Sequence, residues 1–171
     1  MKHELPVLET SLPEETKRLA AIFATLCQPG DVVGLQGSLG AGKTCFVKGM
    51  ARGLAVPDER IVTSPTFVLL KRYKGSTTLH HFDAYRLSGA SEMESIGCYE
   101  IFEGDGVSVI EWADHVAECL PVEHFLWDIR VKGKQKRRFQ LEAAGEGPVS
   151  RLPKISESLT EWRNGSSEID S

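Results

Sequence analysis

An α/β fold, a mostly parallel sheet flanked by helices with antiparallel hairpin additions, is predicted by three observations. Strand-like and helix-like segments alternate through the first half of the chain. The short apolar run Asp31-Val32-Val33-Gly34-Leu35-Gln36 leads directly into a glycine-rich loop and then an amphipathic helical face. Two later pairs of alternating segments each flank a short polar turn, the signature of hairpins. With 171 residues, 41% hydrophobic and 26% charged, the chain suits one ordinary globular domain.

Ser11-Leu12-Pro13-Glu14 has the pattern of a capping box, with Ser11 accepting the Glu14 N–H and Glu14 reaching back. A helical stripe follows at Leu19, Ile22, Phe23 and Leu26 and stops at Pro29-Gly30. After the 31–36 strand and the glycine loop, Phe46, Val47, Met50 and Leu54 form a second helical face, which ends before Pro57. Ile61 to Tyr73 reads as a loop entering a strand at Phe67-Val68-Leu69-Leu70. The turn Lys74-Gly75-Ser76 then joins it to a strand from Thr78 to Phe82. Ser91 to Gly97 reads as a short acidic helix capped at Ser91, and Val107-Ser108-Val109-Ile110 as a buried strand. Phe125 to Val131 and Arg138 to Leu141 make a second hairpin around Lys132-Gly133-Lys134. A terminal helix is predicted from Leu152 to Trp162, with Asn164 to Ser171 a disordered tail. The domain is therefore drawn over residues 1–155, and 156–171 as a polar, partly disordered extension.

The formal net charge of −4 argues against broad, sequence-independent binding of nucleic acid, so DNA is not expected as a partner. No apolar run approaches the roughly 18 residues of a membrane span, and the N-terminus lacks a signal-peptide pattern, so the cytoplasm is the expected location. Cys27, Cys45, Cys98 and Cys119 are scattered, with no metal-ligand spacing, and read as reduced thiols.

Chemistry enters at Gly37-Ser38-Leu39-Gly40-Ala41-Gly42-Lys43-Thr44, a complete Walker A sequence. Its glycines allow the backbone to curl around a phosphate with N–H groups inward, and the following helix adds its positive end. Lys43 is expected to bridge the β- and γ-phosphates of ATP, with the Thr44 hydroxyl on Mg2+ and Cys45 beside the loop. Hydrolysis also needs carboxylates at strand ends. Glu111 follows the 107–110 strand, and Asp83 follows Leu79-His80-His81-Phe82. The domain is thus a P-loop NTPase-type domain.

Other residues leave two readings open. Trp112 either packs near the nucleotide or belongs to the core. His81 either shuttles a proton or is a structural histidine hydrogen-bonded beside Asp83. The hydroxyls of Thr63-Ser64-Pro65-Thr66 either approach the metal and attacking water or cap a local turn. The run Lys132 to Arg138 is either a solvated hairpin tip or a contact for phosphates. Cys45, near a helix N-terminus, is either a stabilised thiolate or a helix-packing residue.

Taken together, the Walker A loop, Ser64-Pro65-Thr66-Phe67, His81-Phe82-Asp83-Ala84-Tyr85-Arg86-Leu87, Glu92-Met93-Glu94-Ser95-Ile96-Gly97 and Ile110-Glu111-Trp112 resemble the bacterial TsaE family from about Ser11 to Leu141. The resemblance implies a Mg-dependent ATPase that supports tRNA threonylcarbamoyladenosine modification beside the anticodon, and the lack of an assignable arginine finger predicts slow hydrolysis by the chain alone. The resemblance implies a TsaB–TsaD complex as partner, reset by ATP use, and contact with tRNA only through that complex. It also implies Thr44 and Glu111 on Mg2+, Asp83 at the metal site and needed for hydrolysis, Trp112 near the nucleotide, and Thr16 and Arg137 as further nucleotide contacts. Ser38 and Ala113 depart from the family pattern, which usually has an acid at the first position and Pro or Ser at the second. A P-loop small-molecule kinase is the alternative, with Asp83-Ala84-Tyr85-Arg86 as acceptor site. A GTPase is disfavoured because no Asn-Lys-x-Asp sequence occurs.

Overall fold

Eight strands form one sheet in the computed structural model, which describes residues 2–167. In chain order they are β1 (Lys2–Glu4), β2 (Leu8–Thr10), β3 (Val32–Gln36), β4 (Leu70–Tyr73), β5 (Leu79–Asp83), β6 (Val107–Glu111), β7 (His124–Val131) and β8 (Arg137–Ala144). Their spatial order is β1-β8-β7-β3-β6-β5-β4, with β2 also paired to β8. β7, β3, β6 and β5 run parallel, while β4 and β8 join antiparallel at the two sides. The predicted mixed α/β architecture is the observed one.

Helices α1 (Pro13–Thr25), α2 (Lys43–Gly53) and α5 (Glu146–Ser167) cover one face of the sheet. Short α3 (Ser91–Ser95) and α4 (Cys98–Phe102) cover the other with the 3-10 segment Ala113–Cys119. Period-two alternation sorts the strand residues between these layers. Val33 and Leu35 of β3, Leu79 of β5, and Val107 and Val109 of β6 face the layer of α1 and α2. Val32, Phe82 and Ile110 face the opposite layer. The larger core centres on Phe23, Phe46, Phe125, Trp127 and Phe139, with Phe23 and Trp127 edge to face at 5.3 Å. Burial of each such ring is worth roughly 3–5 kcal/mol against truncation to alanine. α2 lies close on α1 at Gly49, where a Cβ would collide with Ala20 and the Lys17 backbone.

Several local expectations need correction. The N-cap of α1 is Leu12, not Ser11, and Glu15 rather than Glu14 reaches back to the N–H groups of Ser11 and Leu12. Pro13 at the first helical position accounts for the shift, because it needs no N–H acceptor there. Phe67 to Leu69 are not strand. The N–H groups of Val68 and Leu69 turn back to the Pro65 carbonyl, Leu69 has φ +69, and β4 starts only at Leu70. α3 starts at Ser91 with Ala90 as its cap, and Gly97, at φ +76, separates it from α4.

α5 starts six residues before the predicted Leu152, because Pro148 falls in its first turn, where no N–H is required. The Glu123 carboxylate accepts the Gly147 N–H at its start, 2.9 Å away. The helix continues through residue 167, and Ile155 and Leu159 are buried in the core. The boundary drawn after residue 155 therefore falls inside a packed helix, and 164–167 are helical. The rest of the expected disordered tail, residues 168–171, lies outside the described residues. No helix among the described residues is long and apolar enough to cross a membrane.

Candidate functional site

The site lies beyond the carboxyl end of β3, between its parallel neighbours β6 and β7, where crevices form in such sheets. Gln36 ends β3, and residues 37–42 wrap over the N-terminus of α2. Gly42 caps that helix in the left-handed region, at φ +103, and a Cβ there would meet nothing within 4 Å. Backbone geometry, not crowding, demands glycine, and the space in front is left for a ligand.

Lys43 is the first residue of α2 and is buried. Its ammonium donates to the carbonyls of Gly37 at 2.7 Å and Ser38 at 2.9 Å, and lies 3.8 Å from the centre of the Trp112 ring. Burial holds its pKa below that of an ordinary lysine, against the opposite pull of Glu111, Asp114 and Asp83. Since Lys43 uses the Ser38 carbonyl, the departure from an acid at that side chain leaves this contact intact. Trp112 is placed by its own backbone: φ +60 turns the chain directly after β6 and brings the indole beneath Lys43, with Tyr85 5.0 Å away.

Two carboxylates reach the same level from adjacent strands, since Asp83 of β5 is in register with Glu111 of β6. Alternation puts both on the α2 side. The Thr44 hydroxyl donates to Glu111 Oε1 at 2.8 Å, and His81 Nε2 lies 2.5 Å from Glu111 Oε2. Asp83 is held by different partners. Ser64 and Thr66 hydroxyls both donate to its Oδ2, the latter at 2.9 Å, and the Tyr85 N–H donates to Oδ1 at 2.9 Å. His81 is a buried, hydrogen-bonded histidine beside Asp83 in the chain, and its partner is Glu111, reached across the strand register. The Ser64-Pro65-Thr66 hydroxyls serve Asp83 rather than only a local turn.

Lys43, Thr44, Ser64, Thr66, Asp83, Glu111 and Trp112 line one cleft of about 470 Å3, with Leu39, Gly40, Tyr85 and Phe67 at its rim. Phe67 is 84% exposed, and the Arg86 guanidinium lies 4.2 Å from its ring centre. Past Gly42 and Cys45 a second recess of about 260 Å3 is lined by Thr16, Lys134 and Arg137. Thr16 is buried, with its hydroxyl 2.8 Å from that of Thr10. Arg137 grips the loop from the β7–β8 hairpin, donating to the carbonyls of Ala41 at 3.0 Å and Gly40 at 3.2 Å. The basic run is thus a hairpin tip with one residue folded inward, while Lys136 pairs with Glu9 at 3.3 Å. The Cys45 thiol points to the Pro13 carbonyl at 3.5 Å, and burial pushes its pKa up, which favours the helix-packing reading.

Among the described residues, no three His, Cys, Asp or Glu side chains are grouped to enclose a metal by themselves. The donor set at Thr44 and Glu111 is nevertheless all hard oxygen beside an open space. That suits magnesium, which keeps most of its ligands as water and phosphate oxygens. An ion with few protein ligands fits these residues.

Comparison with known proteins gives the family. Residues 10–139 match the family described as threonylcarbamoyl adenosine biosynthesis protein TsaE. A Bacillus subtilis (strain 168) protein named tRNA threonylcarbamoyladenosine biosynthesis protein TsaE is 45% identical over 134 residues, covering 78% of this chain and 82% of that one. A Treponema pallidum protein of the same name is 49% identical over 108 residues, covering 63% and 78%. The crystal structure of Bacillus subtilis YdiB superposes with a TM-score of 0.73 at 36% identity, over 95% of this chain and 98% of that one. The chain belongs to the TsaE family.

Proposed function

We propose that the chain is a Mg2+-dependent ATPase acting with a TsaB–TsaD complex in tRNA threonylcarbamoyladenosine biosynthesis, where ATP binding and hydrolysis reset that complex. Membership of the TsaE family supports the pathway. One observation carries the chemistry: α2 begins by setting Lys43 and Thr44 against Glu111, with Asp83 in register one strand away.

In this reading the polyphosphate lies over the N-terminus of α2, where backbone N–H groups and the helix dipole favour anions. Lys43 supplies the compensating charge, and a bound phosphate restores the proton affinity that burial lowers. Thr44 and Glu111 hold Mg2+, which when bound offsets phosphate charge. Asp83, fixed by Ser64, Thr66 and the Tyr85 N–H, orients the attacking water. Thr16, Cys45 and Arg137 border the recess that would take the base or ribose. No arginine is among the described residues that line the cleft, Arg137 sits on loop carbonyls and Arg86 lies against Phe67, so the isolated chain turns over slowly. The same commitment of Arg137 counts against the kinase alternative, which needs lid arginines free to close over phosphates.

The test is reconstitution with TsaB, TsaD, tRNA and the threonylcarbamoyl donor. Repeated modification cycles should require this chain and fail with Lys43→Ala. Cycles that proceed equally without it would remove the pathway role, and no ATP hydrolysis with or without partners would remove the enzymatic one.

A further inference from the structure

One buried polar side chain beside the site has no part in the chemistry above. His81 stands two residues before Asp83 on the same face of β5 and is fully buried. Leu79, two residues earlier, shows that this face accepts an apolar residue, so packing alone does not call for an imidazole. Tyr73 of β4 covers the ring, with centroids 6.2 Å apart, and Val109 is its register neighbour on β6. Nδ1 has no hydrogen-bond partner among the described residues, whereas Nε2 faces Glu111 Oε2 at 2.5 Å. The proton therefore belongs on Nε2, which donates to the carboxylate, because an N–H at Nδ1 would be buried without an acceptor.

We propose that His81 is a positioning residue for Glu111, fixing the carboxylate so that Oε1 is presented to Thr44 and to the cation side of the cleft. A glutamate at a strand end retains rotational freedom about its side-chain torsions. Thr44 alone engages one oxygen and permits rotation about that bond. His81 engages the other oxygen from the opposite side, and the two contacts together leave one orientation. Because the pair lies in the core, each partner would be left uncompensated without the other, which keeps the contact closed. The arrangement is that of an outer partner orienting a metal-binding carboxylate. This inference rests on the ATPase reading, and its test separates the two.

His81→Asn and His81→Gln differ in reach: the Gln amide extends to the place of Nε2, while the Asn amide falls short of Glu111. His81→Leu removes the donor and keeps bulk. ADP binding is measured by Trp112 fluorescence in EDTA and in Mg2+, alongside kcat and KM for ATP and thermal melting. In His81→Asn and His81→Leu, metal-free binding should stay within about twofold, while the Mg2+-linked gain in affinity and kcat each fall about tenfold or more. His81→Gln should recover most of both. A folded His81→Asn protein with the wild-type Mg2+-linked gain and kcat would overturn the proposal. So would equal losses with and without metal that His81→Gln does not repair, since that pattern marks packing. If His81→Leu does not fold, the Asn and Gln pair decides. Wild-type protein that hydrolyses no ATP in Mg2+, with or without partners, would overturn the ATPase reading and this proposal together, and ADP binding that ignores Mg2+ in a wild-type protein that does hydrolyse ATP would overturn this proposal alone.

Discussion

The ends of β5 and β6 carry the same functional group at the same register, yet in different surroundings. Glu111 is joined to rigid neighbours: Thr44 in the first turn of α2 and His81 in the middle of β5. Asp83 is joined to a loop, through the hydroxyls of Ser64 and Thr66, and to the Tyr85 backbone. The Glu111 carboxylate is set by contacts from the first turn of α2 and from the body of the sheet. The carboxylate on the loop side is set by a segment whose Phe67 projects into solvent at the rim. Two acids that look equivalent as strand ends are thus suited to different work, one to a fixed charge and one to a position that follows the loop.

The largest expected effect comes from breaking each end separately. Glu111→Gln should lower ATP hydrolysis about 100-fold or more and also remove the Mg2+-linked gain in nucleotide affinity. Asp83→Asn should lower hydrolysis by a similar factor but retain that gain. Kinetics together with ADP titrations in EDTA and Mg2+ read both, and identical behaviour of the two variants would end the division of labour. A smaller effect is expected one step outward. Thr66→Val removes one hydrogen bond to Asp83 and should slow hydrolysis about three- to tenfold, with Mg2+-linked binding untouched; unchanged kcat would leave the loop without a role in orienting Asp83.

The smallest effect concerns the anchor of that loop. Glu59 opens the 3-10 turn before it and accepts from Arg52 at 2.7 Å and Lys17 at 3.1 Å. The Arg52 contact first, then Lys17, holds its carboxyl down to about 2 from 4.5. A lowered carboxylate pKa stabilises the fold above the unfolded value, and this contribution is lost as pH falls from 4.5 towards 2. Glu59→Gln should cost about 1 kcal/mol near neutral pH, or about 3 °C in Tm. Melting curves of wild type and variant should converge towards the acid end of that window, and a constant gap across it would show that the ion pair contributes nothing.

Much of this was legible in the chain. The Walker A loop, the strand before it and the helix after it are local patterns, and both hairpins follow from alternation around polar turns. Asp83 and Glu111 were recognisable as strand-end acids because a buried strand that stops on a carboxylate is uncommon without a use. The start of α5 was not legible, since its partner is distant in the chain: Glu123, over twenty residues earlier, accepts the Gly147 N–H. Nor was the break at Leu69, where Phe67-Val68-Leu69-Leu70 has strand composition but Pro65 captures two N–H groups in a turn.

Sequence by itself therefore determined the fold class and set the glycine loop between its strand and its helix, because loop patterns and hydrophobic periods are written within a few consecutive residues. Tertiary structure decided which acid has which partner. His81 precedes Asp83 by two positions and Glu111 by thirty, and only the parallel register of β5 on β6 brings its Nε2 to the second and leaves the first to the loop. The physical reason is that partners meet across the sheet and not along the chain: Ser64, Thr66 and the Tyr85 N–H occupy both oxygens of Asp83, while the parallel register sets Glu111 diagonally from His81, where its longer side chain brings Oε2 to Nε2.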